Sequence, residues 1–509
     1  MILTIALIYF VVLIVGAGLF VRRRIKTTND FTSASRSLAW PMVATTYAVI
    51  PLGSGHSMSL WEQSIGPMGG SVAWWGLAVG AVIVPLMMLW SGPLARWTGF
   101  NTFPAITKAM YGRVFSWFHA SVTVASFSGI VVGELIATGV AIFTLSGGAL
   151  PMNPYGILIA FVLTICYVFF GGVLQMAWVN VVNAIMLIGG SFVAVIAAAV
   201  WLAKNFVFAG DAGLAAVQAF YDSGGMSDRL SQFSHLGGSG IWFDLIIPVA
   251  ILHITATGVC QGHNLAFFSA KSTKDCRKGV YLASAINFMS CIPWILLGLI
   301  AFAVPAVVSA ISPEEVGKLI VPQAALLMLP KPITGLLMIS LLSATLSTAG
   351  ALCMGNGTLL AREIIKGALF PKMSDKNELI LTRICIVVVA CVCLVPALNL
   401  PLIMPVFMWC FMLSIPIWFV YVSGMYFSVS KTWCWITVVI GYVVAFVWTF
   451  APPDVPWPWG TITYPVALVS LVFGMIIPAI IGKTQGKKSF RQIINEARTS
   501  GAAESRLAN

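Results

Sequence analysis

The sequence predicts an all-α polytopic membrane protein with about 13 transmembrane helices. Of its 509 residues, 59% are hydrophobic and only 9% charged. Apolar runs long enough to cross a hydrocarbon layer, about 20 residues each, recur along the whole length. Lys and Arg also sort onto alternate connections between those runs, as they do in membrane proteins of fixed orientation.

The spans fall near 2–21, 41–66, 72–91, 113–143, 154–172, 174–203, 240–258, 280–309, 331–362, 379–397, 399–427, 433–451 and 462–482. The first is followed at once by Arg22, Arg23, Arg24 and Lys26, a stop-transfer pattern rather than a cleavable signal. If that connection is cytoplasmic, its side also holds Arg36, Arg96, Lys108, Arg113, Lys271, Lys274, Arg277, Lys278, Arg362 and Lys366, together with the basic residues beyond them. The other side keeps only Lys204, Arg229, Lys318 and Lys331. The expected location is the cell (inner) membrane, with the N-terminus extracytoplasmic and the C-terminus cytoplasmic. The net charge of +12 is then a topological signal, and no nucleic acid is needed to explain it. The ten cysteines show neither metal-type nor disulfide spacing and read as small core residues.

The expected organisation is an N-terminal span and loop (1–40), a first five-helix repeat (41–203), an extracytoplasmic loop (204–239), a second five-helix repeat (240–427), two further spans (428–482) and a basic tail (483–509). Ala209–Gly240 is polar and rich in Gly and Ser. Ser312–Pro330 opens with SPEE and reads as a capped short helix, and Pro452–Gly460 is a Pro/Trp turn.

Two spans are interrupted. The second contains Pro51, Gly53 and Gly55 among Ser54, His56, Ser57 and Ser59. The seventh contains His253, Thr255, Thr257, Gly258, Gln261 and Gly262. Interrupted polar helices at corresponding positions of two halves point to a transport site near the membrane midplane. Lipid cannot satisfy the backbone groups they free. His56 and Glu134 are further polar or ionisable groups inside spans, where such residues mark functional sites by default. The ninth span, within Leu341–Lys366, carries Ser343, Thr345, Ser347, Thr348, Asn356 and Thr358. Ala344, Ser347 and Thr348 share one helical face. Their spacing alone suits either hydroxyls that glue helices together or oxygen ligands for a small hard cation.

Four stretches resemble the sodium:solute symporter family, which includes bacterial sodium/proline and sodium/galactose symporters and animal sodium/glucose cotransporters. They are DFTSASRSLAW (Asp30–Trp40), YVFFGGVLQMAWVNVVNAIMLIGG (Tyr167–Gly190), QGHNLAFFSAKSTKDCRKG (Gln261–Gly279) and ATLSTAGALCMGNGTLLAREI (Ala344–Ile364). The resemblance implies a LeuT-type five-plus-five inverted repeat. It also implies a Na⁺ site made of the Ser347 and Thr348 hydroxyls and the carbonyls of Ala344, Tyr47 and Ile50. Ser54, His253 and Asn287 fall where sugar-transporting relatives place polar ligands. Asn180, with Asn183 one turn on, stands where the family usually has an Asp associated with ion exit. Glu363 replaces another usual Asp, and the family's Gln-Arg pair near the end of the seventh span is replaced near Leu265 and Ala266. Ala256 lies near the position of the sugar transporters' aromatic gate, so the resemblance does not imply a sugar as substrate.

The expected function is Na⁺-coupled symport of a small organic solute by alternating access, with the bilayer as the only other partner and the monomer as the working unit. The alternatives are a proton-coupled transporter of the same fold, or a transporter-like sensor acting through a separate partner. A membrane-embedded enzyme would need paired carboxylates, an Asp-rich site or a motif such as HExxH, and the sequence offers none of them.

Overall fold

The computed structural model describes residues 2–64, 84–207, 242–308, 311, 316–399, 409–456 and 458–499. The polar loop expected at 209–240, the SPEE turn, the beginnings of the third and eleventh spans, Trp457 in the Pro/Trp turn and the end of the basic tail lie outside the described residues. Among the described residues, ten helices are long and apolar enough to cross a membrane. Ile2–Arg22, the broken pair Trp40–Val49 and Ser54–Ser64, and Val84–Thr98 supply the first three spans of the expected series.

Burial separates a centre from a rim. The most apolar windows of the fourth span (Arg113–Leu145) and the ninth (Lys331–Leu359, continued as a π-helical turn to Leu369) are 83% and 89% buried. Those of the sixth, tenth, twelfth and thirteenth are only 28–33% buried, as helices facing lipid should be. Small residues bring backbones together at the centre. A methyl group on Gly355 would lie 2.6 Å from the Gly262 nitrogen, so the ninth span meets the seventh with no room for side chains.

The halves mirror each other in their connections. A short helix, Phe103–Tyr111, joins the third and fourth spans, and Val316–Met328 joins the eighth and ninth. The eighth span starts at Thr273 rather than 280, because Ser272 caps it by accepting from the Asp275 N–H at 3.1 Å.

The basic end of the bundle is tied across both halves. Leu38 forms an isolated parallel β-bridge with Ala270, donating to the Ser269 carbonyl at 3.1 Å and accepting from the Lys271 N–H at 2.8 Å. Arg96 donates to the Ala270 and Lys271 carbonyls at 2.8 and 3.2 Å. Arg36 donates to the Gly99 carbonyl and, at 2.9 Å, to Asn101 Oδ1. Asp30 closes a capping box with Thr27. Burial raises its pKa, but hydrogen bonds from Ser35, Lys26 and Thr27 outweigh that and hold the carboxyl below its ordinary value.

Candidate functional site

Both interruptions are real breaks in the helices. In the second span, the helix entered through Pro41 ends at Val49, and a new one starts at Ser54. Pro51 has no N–H, so the carbonyl four residues earlier, that of Tyr47, loses its helical donor. In the seventh span, Ile247–Val259 and Gln261–Phe268 are separated by Cys260 alone, which is extended at φ −70°, ψ 118°.

The ninth span reaches across to the first break. The Ser347 hydroxyl donates to the carbonyls of Val49 at 3.0 Å and Ala344 at 2.7 Å. The Thr348 hydroxyl donates to those of Ile50 at 2.6 Å and Ala344 at 3.2 Å. Both side chains are buried. Two hydroxyl and three carbonyl oxygens therefore converge where the helix stops. Of the residues expected from the sequence, Ile50, Ala344, Ser347 and Thr348 come together. Val49 joins them, whereas the hydroxyls make no bond to the Tyr47 carbonyl. The set is neutral and all-oxygen, which suits a hard monovalent cation held weakly. Among the described residues, no three of His, Cys, Asp and Glu gather into a metal-type cluster.

Glu134 of the fourth span serves the other side of the same break. Its carboxylate accepts from the Gly55 N–H at 3.2 and 3.3 Å, at the start of the Ser54–Ser64 half-helix. A negative group there satisfies a donor that a helix start leaves unpaired and complements the helix dipole. A Cβ on Gly53 would lie 2.0 Å from the carboxylate oxygen, so only glycine admits this approach.

The remaining candidates are distributed around this core. Ser54 begins the second half-helix, and its side chain lies outside the described residues. His56, two residues on, is half-buried and lies within electrostatic reach of His253. His253 Nδ1 is 2.9 Å from the Val249 carbonyl, and its ring meets Phe411 edge-on at 5.1 Å. Asn287 is buried on the eighth span, and its Oδ1 has no hydrogen-bond partner among the described residues. Asn180 is bonded to the Tyr167 hydroxyl, which also accepts from Asn183 Nδ2 at 3.2 Å. The Tyr167 ring packs so closely on Gly350 that a methyl there would meet it at 2.4 Å. The Asn180 group therefore sits beside the turn that follows Ser347 and Thr348.

Sequence reasoning missed Asn264. Its Nδ2 donates to the carbonyls of Thr257 at 2.6 Å and Cys260 at 2.9 Å, capping the second break from within its own chain. An Asn a few residues past a Gly-rich interruption was the available signal.

A sequence profile of the sodium:solute symporter family matches residues 31–428. The chain is 22% identical over 391 residues to a sodium/glucose cotransporter of Vibrio parahaemolyticus, covering 72% of this chain and 69% of that protein. It is 28% identical over 237 residues to a sodium/proline symporter of Haemophilus influenzae, covering 45% and 43%. The solved structure of a Na⁺-coupled sialic acid symporter in a substrate-bound, outward-open state matches with a TM-score of 0.77 at 14% identity, over 94% of this chain and 98% of that one. A nucleobase-cation-symport-1 family transporter in a closed conformation matches with a TM-score of 0.55 at 14% identity, over 92% and 99%. The fold is the LeuT-type five-plus-five arrangement.

Proposed function

Because the chain belongs to the sodium:solute symporter family, we propose that it carries a small organic solute into the cell together with Na⁺, working as a monomer with its basic end in the cytoplasm. The chain is a secondary transporter and not an enzyme. The observation that carries the ion assignment is the convergence of the Ser347 and Thr348 hydroxyls on the Val49, Ile50 and Ala344 carbonyls. When Na⁺ enters, the hydroxyl protons turn outward and the same oxygens accept the cation. The Tyr47 carbonyl, which Pro51 leaves without its helical donor, would be a further ligand for that set.

Na⁺ would draw the end of the Trp40–Val49 helix against the ninth span and so fix where the Ser54–Ser64 half-helix begins. His56, His253 and Asn287 supply the polar groups for the solute, and Ser54 joins them. The coupling is reciprocal: whatever factor Na⁺ adds to solute affinity, solute adds to Na⁺ affinity. Asn180 and its partners border the route by which the ion leaves. One Na⁺ crossing about 100 mV contributes roughly 2.3 kcal/mol, and a tenfold gradient about 1.4 kcal/mol. Together these support accumulation of several hundred-fold at one-to-one stoichiometry.

The test is uptake into proteoliposomes by Ser347→Ala and Thr348→Ala. Each should raise the Na⁺ concentration for half-maximal uptake at least tenfold, equivalent to about 1.4 kcal/mol. Hydroxyls that only glue helices would cost about 0.6 kcal/mol of packing and leave the Na⁺ response unchanged. Uptake that persists equally in Li⁺, K⁺ or choline would remove the ion from the mechanism.

A further inference from the structure

A cavity unrelated to the broken helices opens at the basic end of the molecule. Its volume is about 700 Å³. It lies between the short helix Phe103–Tyr111, the start of the fourth span, the π-helical end of the ninth (Leu360–Leu369) and the C-terminal helix Phe490–Thr499. Lys108, Arg113, Arg362 and Lys366 line it, against Glu363 as the one lining carboxylate.

The charges do not cancel. Glu363 accepts from the Thr102 hydroxyl at 2.6 Å. Behind the wall, buried Glu378 pairs with Lys366 and lies 3.5 Å from Arg362. Lys108 and Arg113 are exposed, and among the described residues neither forms a salt bridge with a carboxylate. Arg113 is oriented by a 2.7 Å bond to the Gly367 carbonyl and by the Trp117 ring, 5.3 Å from its guanidinium carbon. The cavity therefore keeps a surplus of positive charge in a preformed recess.

We propose that this recess binds the phosphate group of an anionic phospholipid. Phosphate suits the chemistry, since Arg and Lys are its ordinary ligands, and basic pockets between spans on the cytoplasmic side take anionic headgroups. The rim argues for a lipid rather than a soluble phosphate. Val114, Leu369 and Phe370, next to the cavity walls, are 64%, 67% and 55% exposed, an apolar margin against which acyl chains would lie. The C-terminal helix closes the recess with Phe490 and Ile493. It is held by Arg498, whose guanidinium sits 4.5 Å from the Trp97 ring. A bound headgroup would thus strap the C-terminal helix to the fourth and ninth spans.

The test is binding to the purified full chain in detergent by native mass spectrometry and calorimetry. The probes are dioctanoyl phosphatidylglycerol, dioctanoyl phosphatidylcholine, glycerol 3-phosphate and inorganic phosphate. Phosphatidylglycerol should bind at least about tenfold more tightly than phosphatidylcholine, and the Lys108→Gln/Arg113→Gln double variant should lose that preference. Ala109→Glu, which adds a carboxylate to the exposed wall without breaking a hydrogen bond, should lose it too and covers failure of the double variant to fold. Equal binding of the two lipids, or a preference that survives Ala109→Glu, overturns the proposal. Soluble phosphates that bind as tightly as phosphatidylglycerol overturn the lipid as source.

Discussion

The two broken helices solve the same problem in opposite ways. The break in the second span spans several residues and is satisfied from outside: hydroxyls of the ninth span take its carbonyls, and a carboxylate of the fourth takes its N–H. The break in the seventh span is one residue long and satisfied from within. Asn264 caps its carbonyls, and the Cys260 sulfur accepts from the His263 N–H at 3.5 Å. A break completed by neighbouring helices changes its energy whenever those neighbours shift or an ion intervenes. A self-capped break travels as a unit and leaves that energy unchanged. Under the proposed function, this difference would give ion sensing to the second span and leave the seventh as a solute-facing element that moves intact.

Substitutions at each break test that division. Gly53→Ala should have the largest effect, because its methyl must occupy the place of the Glu134 carboxylate. We expect a loss of about 3 kcal/mol in stability, seen as a sharp fall in thermal midpoint in detergent, together with loss of uptake. Glu134→Ala should cost about 2 kcal/mol by leaving the Gly55 N–H buried without an acceptor. Glu134→Gln, which keeps an acceptor oxygen, should recover much of that in the same melting assay. At the other break, Asn264→Ala should cost about 1 kcal/mol of stability while the Na⁺ concentration for half-maximal uptake stays put. A Na⁺ shift matching that of Ser347→Ala would erase the distinction between the breaks. Cys260→Ser should change stability by less than about 0.5 kcal/mol, since a hydroxyl caps a helix start at least as well as a thiol.

The class, the span series and both interruptions were legible because hydropathy and helix breakers act locally. Pro51 and Gly53 disrupt a helix whatever surrounds them, and a 20-residue apolar run needs no tertiary context. The pairing of Ser347 and Thr348 was legible from helical spacing. Their partners were less so: the hydroxyls meet Val49 and Ile50 rather than Tyr47 and Ile50, a register set by how two helices pack. Glu134 read as an isolated charge, since its partner lies on a different span. Asn264 resembled any polar residue in a connection until Cys260 was seen to be extended. The seven further residues that bring the ninth span from 362 to Leu369 follow a π-helical turn, which hydropathy does not register.

The bridge between Leu38 and Ala270 bears on how the molecule is made. Leu38 is buried at 1% exposure, and its N–H and carbonyl find their partners on Ser269 and Lys271, at the far end of the seventh span. Chains are synthesised from the N-terminus and their early segments settle first, so during biogenesis this stretch waits while six further spans enter the bilayer. Until Lys271 has emerged, those two backbone groups depend on water. Closure of the bridge marks the moment when the second half of the chain has found the first, and a nascent chain stalled before that point should expose Leu38 to proteolysis and to chaperones.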